Sequence, residues 1–391
     1  MIEVRGVRAD EIPDVLDMVP RVMGAPREYF ESIWRNSPGS KPEHSRVVVV
    51  EDQYVSHIRL HDRSIRIGEA TLRQGGVADV CTLPEHRRRG YGRRLLEDAA
   101  HYFLREGYDL SIIISGVFHF YLNCGYEKYP LIRYKVKVDD AALTRPYGYH
   151  VRRFERDNDL AAVADIYEIY NSARPLTCVR SHEYWRKHFW WIRRETEDGF
   201  YVVEHSDRIV GYIRNGPSAT LEIGYLPDHE EAAVALFEAT MRLMAKRGHE
   251  WITLTIPSDD PLVKIIKGGF QIEEEIYETT LVRLINLPQL LRKLSRHMSL
   301  KLAEAGYEGE MRIGFRIGEH RGGLIVDGCR VRALDHPPEG GELIRTNQSE
   351  FMKLITNSDF EPQVEMSSQA FEVFRLASPD KKPIFWPIDV V

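Results

Sequence analysis

The chain has 391 residues, 43% of them hydrophobic and 29% charged, a soluble globular balance long enough for two or three domains. A formal charge of -6 argues against a general nucleic-acid binder, which would carry a basic surplus. The four cysteines are widely spaced with no C-x-x-C pair, so neither disulfides nor a metal site is expected, and with no signal-like N-terminus and no apolar run of membrane-spanning length the expected location is the cytoplasm, with no membrane partner.

Taken in order, residues 2–5 read as a strand, and residues 10–23 as a helix with Ile12, Val15, Met18 and Val22 near a 3–4 spacing. Beyond Pro26, a second helical patch carries Tyr29, Phe30, Ile33 and Trp34. Residues 47–50 form a buried-strand run of four valines, and residues 54–60 and 64–72 alternate as antiparallel strands do. The stretch 76–96 then combines an apolar strand, a break at Pro84, the basic loop Arg87-Arg88-Arg89-Gly90-Tyr91-Gly92, and a helix start with Arg93 and Arg94. A glycine loop feeding a helix N-terminus offers converging N–H groups to an anion, so a phosphate-bearing ligand is expected here. The helix runs to about Arg105 and closes at Gly107. A strand over 110–114 follows, then Ser115-Gly116 and Phe120-Tyr121-Leu122-Asn123-Cys124-Gly125-Tyr126.

This order of parts resembles the GNAT acetyltransferase family. There, Arg/Gln-x-x-Gly-x-Gly/Ala after the fourth strand binds the pyrophosphate of acetyl-CoA, and Phe-Tyr-x-x-x-Gly-Phe/Tyr follows the fifth. The resemblance implies acetyl-CoA as co-substrate, held by Arg87, Arg88, Arg89, Gly90, Tyr91, Gly92 and Arg93, by the strand residues Val80, Cys81 and Thr82, and by Ser115 and Gly116. It makes Tyr121 the general acid that protonates the departing thiolate. The residue types agree: glycines admit phosphate to the backbone and arginine forks match its oxygens.

Residues 138–286 repeat the pattern. Residues 151–154 stand for the first strand and 160–170 for the first helix, and Tyr184, Trp185, Phe189 and Trp190 stand for Tyr29, Phe30 and Trp34. Residues 221–227 parallel the strand before the loop, but the loop is now Asp228-His229-Glu230-Glu231, about two residues shorter and without glycine. Aligning Gly269-Phe270 with Gly125-Tyr126 puts Ile265 opposite Tyr121. Carboxylates where phosphate would sit repel it, so one cofactor site per chain is expected, with the second copy a wall of the substrate cleft.

The third segment opens with a helix over 287–305, continues with a strand over 311–317, and carries a hairpin signal at Asp327-Gly328. Asn347 and Glu350 suggest a capping box before a helix over 351–356. The fold class expected is α+β: tandem GNAT folds over 1–137 and 138–286, each a mixed sheet flanked by helices, then a small α+β tail over 287–391. That organisation resembles the enhanced-intracellular-survival (Eis) acetyltransferases, in which the tail is sterol-carrier-protein-like. This resemblance implies direct N-acetylation of a primary amine (aminoglycoside, polyamine or lysine-like), a homo-oligomer that is hexameric in the family, and a general base at the C-terminal carboxylate, here Val391. Asp389, Asp79 and His119 are competing bases, and Glu28 and Glu31 are candidates for attracting the amine. The alternative is a binding protein that senses acyl-CoA or a lipid without turnover.

Overall fold

The computed structural model describes residues 2–142, 144–191 and 198–389. The first unit contains β1 (Ile2–Gly6), α1 (Ile12–Met23), α2 (Arg27–Asn36), β2 (Ser45–Val50), β3 (Gln53–Ile67), β4 (Ala70–Thr82), α3 (Tyr91–Arg105), β5 (Leu110–Ile114), α4 (Phe118–Leu122), β6 (Glu127–Lys128) and β7 (Leu131–Lys137). The second repeats it with β8 (His150–Arg153), α5 (Arg156–Asn171), α6 (His182–Trp191), β9 (Phe200–His205), β10 (Arg208–Asn215), β11 (Ala219–Tyr225), α7 (Glu230–Lys246), β12 (Trp251–Leu254), α8 (Pro261–Gly269), β13 (Ile272–Tyr277) and β14 (Thr280–Leu284). The third has α9 (Leu287–Glu304), β15 (Glu310–Ile317), β16 (His320–Asp327), β17 (Arg330–Leu334), β18 (Glu342–Thr346), α10 (Gln348–Thr356) and α11 (Ser368–Ala377).

The two large sheets have the same design and exchange a strand. The first is ordered β1-β2-β3-β4-β5-β14-β6 and the second, from its matching edge, β8-β9-β10-β11-β12-β7-β13. Thus β14 pairs antiparallel with β5 (Thr280↔Ile114 to Leu284↔Leu110), and β7 pairs with β12 and β13. The stretch 131–137, expected to close the first unit, contributes its strand to the second sheet. Neither sheet is complete without the other unit's chain, which fixes their mutual placement.

A break expected near residues 61–63 does not occur. β3 runs straight through to Ile67 and turns at Gly68 and Glu69. The polar residues that suggested a loop have partners: Asp62 accepts from Arg73 at 3.0 Å, Arg63 donates to the Tyr184 hydroxyl at 2.9 Å, and the Ser37 Oγ lies 3.2 Å from His61 Nδ1. Paired polar groups are compatible with a buried strand, so alternation alone misplaced the turn.

In the third unit α9 packs Leu287, Leu290, Leu291, Leu294, Met298 and Leu302 into a core shared with Ile65, Leu72, Leu110 and Ile112 of the first sheet. The hairpin turn falls on Gly328-Cys329, one residue later than expected, because Asp327 pairs with Arg330. Gly328 at φ +54 alone takes the left-handed position there, fitting the turn with glycine first. Asn347 caps α10 by accepting from the Glu350 N–H at 2.8 Å, while the Glu350 carboxylate accepts from Gln363 rather than closing a box. Beyond α11 the chain returns to the second unit. Trp386 is fully buried and donates to Asn171 at 2.9 Å, and Ile384, Trp386 and Ile388 join that unit's core.

Candidate active site

The site forms where β4 and β5 part. They pair in parallel only from Gln74↔Leu110 to Gly76↔Ile112, whereas β4 continues to Thr82. Between His57 and Arg59 of β3 the register shifts, with Asp79 opposite at φ +50. Such a bulge bends and twists its strand, here opening a fork beside β5. One edge of the fork is the backbone of Val80, Cys81 and Thr82, paired to β3 on its other side through His57↔Cys81 and Ser56↔Thr82. An unpaired strand edge is a ready partner for an extended amide-bearing chain.

At the mouth of the fork, Leu83 is buried and anchors a single 3-10 turn, Pro84–His86. Arg88 at φ +62 and Gly90 at φ +77 then curl the backbone ahead of α3. Successive N–H groups in such a loop form a concave anion cradle beside the helix N-terminus. Arg87 donates to the Thr82 carbonyl and Arg89 to the Glu85 carbonyl, each at 3.2 Å, which steadies two guanidinium stems along the loop. Arg87, Arg88, Arg89 and Arg93 are exposed, the last paired with Glu97 at 2.9 Å. Gly92 suits a close approach, because a Cβ there would press on the Phe120 ring at 3.0 Å. Tyr91 is only 5% exposed and packs in the core, so it supports the loop through its ring rather than presenting it to a ligand. This cradle fits a pyrophosphate, and the fork behind it fits an extended pantetheine arm.

Tyr121 sits on α4, buried against the same core. Burial pushes its phenol upward, partly offset by a hydrogen bond with Ser115, so the hydroxyl holds its proton at neutral pH. Ser115 also accepts from the Val117 N–H at 3.1 Å, and Gly116 is exposed at the end of β5. Burial likewise pushes the Cys81 thiol up to about 12 and raises Cys124, which leaves both as inert thiols.

The competing bases have distinct surroundings. Asp79 is ion-paired to Arg59 at 2.7 Å, and His119 is exposed on α4. Asp389 is 2% exposed and is clamped by Arg180 at 2.8 Å and by the Tyr184 hydroxyl at 2.7 Å; burial raises its carboxyl, but Arg180 and Arg63 outweigh this and leave it lowered. The same Arg180 holds Glu222. Val391 lies outside the described residues, as do the side chains of Phe189 and Trp190. Asp389 nevertheless lines the fork together with Gly76, Val77, Ile112 and Ile114, so the C-terminal tail reaches the site. Glu31 is paired with Arg35 at 2.5 Å on α2, and Glu28 is exposed.

Sequence reasoning missed a stripe on β3. His57, Arg59, His61 and Arg63, two residues apart, are all at most 8% exposed along one face. Trp34, His57 and Arg59 border a void of about 20 Å³ under α1 and α2, and each leaves one buried nitrogen there without a partner among the described residues. That is room for about one water molecule. The available signal was a period-two run of cationic residues in a strand, where apolar ones are usual.

Residues 3–129 match the family described as "Acetyltransferase (GNAT) domain". The enzyme class that this domain supports is an acetyltransferase. Among solved structures, a protein of Enterococcus faecalis V583 described as a "Probable N-Acyltransferase" is 13% identical over 100% of both chains, with a TM-score of 0.75. A GCN5-related N-acetyltransferase from Kribbella flavida is 16% identical, covering 100% of this chain and 98% of its own, with a TM-score of 0.72. Eis1 from Mycobacterium abscessus is 16% identical over 98% of both chains, with a TM-score of 0.64. At these identities the likeness is one of fold, and it spans the whole chain. No curated protein matches the sequence. No helix among the described residues is long and apolar enough to cross a membrane.

Proposed function

We propose that the protein is an acetyl-CoA-dependent N-acetyltransferase of the Eis type, acting on a primary amine of aminoglycoside, polyamine or lysine-like character. The observation that carries this reading is the pairing of an anion cradle at Arg87–Gly92 with a buried, protonated Tyr121 on the helix after β5, packed in the same core as Tyr91 of the loop. Bound acetyl-CoA supplies the acetyl thioester. The exposed arginines and the loop N–H groups bind its phosphates, and the free edge of Val80, Cys81 and Thr82 orients its arm. Tyr121 holds a proton at its hydroxyl for the sulfur, a general-acid role. The Val391 carboxylate is the proposed base. Asp389 supports that assignment, because it already borders the fork and two further residues span at most about 7 Å. Asp79 and Asp389 are less suited to the role, since each is engaged by arginine.

The sterol-carrier character of the third unit and a homo-oligomeric assembly belong to the same proposal and rest on the resemblance, while a cytoplasmic location rests on the spacing of the cysteines and the lack of a signal-like or membrane-length apolar run in the sequence. The test is release of CoA thiol from acetyl-CoA with spermidine, kanamycin and a lysine peptide. Turnover with at least one amine is expected, with loss of most of it on deleting Val391. Tight CoA binding with no amine acetylated would instead return the chain to the sensing alternative.

A further inference from the structure

A second cavity, of about 310 Å³, lies where the three units meet. It is bounded by Ile114 at the tip of β5, by Leu221 of β11, by Ile256 after β12, and by Phe385 of the tail. Its size lies at the lower end of the range for small-molecule sites. Three aromatic side chains, Tyr129, Tyr277 and Phe385, border it, so a flat apolar body would find stacking partners.

The charge of the lining decides the ligand class. Among the described residues, three cations border the cavity, Arg133, Lys353 and Lys382, and not one carboxylate side chain does. Arg133 is paired with Glu275 at 2.9 Å, and Lys382 with Asp359. Lys353 on α10 has no carboxylate partner among the described residues, and its ammonium lies 5.4 Å from the Phe360 ring centre. One positive charge thus remains at the wall, whose lining also includes the amide of Asn357 and the hydroxyls of Thr255 and Ser258. A cationic amine would be repelled here, which separates this cavity from an amine acceptor's subsite.

We infer that this cavity is a binding site for a small aromatic or branched organic anion, with its negative group on Lys353 and its apolar body between Phe385 and Leu221. The inference stands apart from the proposed acetyl transfer, because it needs neither acetyl-CoA nor the Arg87–Gly92 loop. Phe385 and Ile114 also border the fork, so an occupant would brace the tail from its far side.

The probe is phenylacetate, compared with neutral phenylacetamide and cationic phenethylamine, titrated calorimetrically into the full chain without acetyl-CoA. Phenylacetate is expected to bind at least about tenfold more tightly than either, as one charge-assisted hydrogen bond implies. Lys353→Gln on the half-buried face of α10 is expected to remove that preference. Thr255→Phe is expected to block all three probes while acetyl-CoA still binds. Equal affinities, a preference for phenethylamine, no binding of phenylacetate at millimolar concentration, or phenylacetate binding undiminished in both variants would each overturn the inference.

Discussion

The first and second units carry the same sheet and differ at one junction. Eight residues separate the strand β4 from α3, whereas four separate β11 from α7. The sequence comparison expected a deficit of about two, because alignment on the proline ignores where each helix starts. In the first unit the extra length carries the 3-10 turn, two left-handed residues and the exposed arginines. In the second, α7 begins on Glu230 and Glu231, which suit its own helix dipole but oppose a phosphate. The helices diverge accordingly. α3 is amphipathic, with Arg93 and Arg94 outside, while α7 buries most of its length, including Leu236, Phe237 and Met244. One copy of the fold holds its helix at the surface, where the proposed cofactor would meet it, and the other has absorbed it into the core.

The strongest way to break that contrast is at Tyr121, the proposed acid. Tyr121→Phe is expected to lower kcat by about 10² or more with little change in KM for acetyl-CoA, whereas Ile265→Ala, at the aligned position of the second unit, leaves both within about twofold. Steady-state kinetics with any accepted amine decides it, and equal effects would remove the asymmetry. Next comes the buried clamp that joins the tail to the second unit. Arg180→Met removes the cation that holds Glu222 and leaves Asp389 only Arg63, at 3.9 Å, and should cost about 3–5 kcal/mol of stability, read as a lowered denaturant midpoint.

A third test concerns the loop itself. Reversing two charges, Arg87→Glu with Arg88→Glu, should raise the KM for acetyl-CoA by at least about a hundredfold, since each charge-assisted contact contributes about 1.5–3 kcal/mol. Neutralising Glu230 and Glu231 to Gln should create no second cofactor site, and equilibrium binding would still count one per chain.

The smallest expected effect is acid sensitivity in the first unit. Burial holds His57 down at about 4, below its ordinary value of 6.5. The unfolded chain therefore binds a proton that the folded chain refuses between these values. Stability is full above pH 6.5 and falls as the pH drops toward 4, by at most about 3 kcal/mol for this residue. His57→Asn should flatten that part of a melting-temperature profile, and an unchanged slope would show that the acid sensitivity lies elsewhere.

The local grammar of the chain was largely legible. The spacing of Ile12, Val15 and Met18 marked α1, the Pro84 break and the glycines marked the loop, and the apolar positions of α9 stood out. Less legible was everything that depends on a distant partner. His61, Asp62 and Arg63 look like a turn until Ser37, Arg73 and Tyr184 are placed around them. Buried polar residues in β3 cannot be told from exposed ones by pattern, because their burial is compensated across the fold.

By itself, the sequence determined the repeat, the basic glycine loop and its loss in the second copy, since these rest on side-chain type and near-neighbour spacing. Only the tertiary structure decided that β7 and β14 change places, and that the tail returns more than 200 residues along the chain to set Asp389 against Arg180. Strand pairing and ion pairing across that separation depend on which surfaces meet after collapse, and no local propensity encodes that choice.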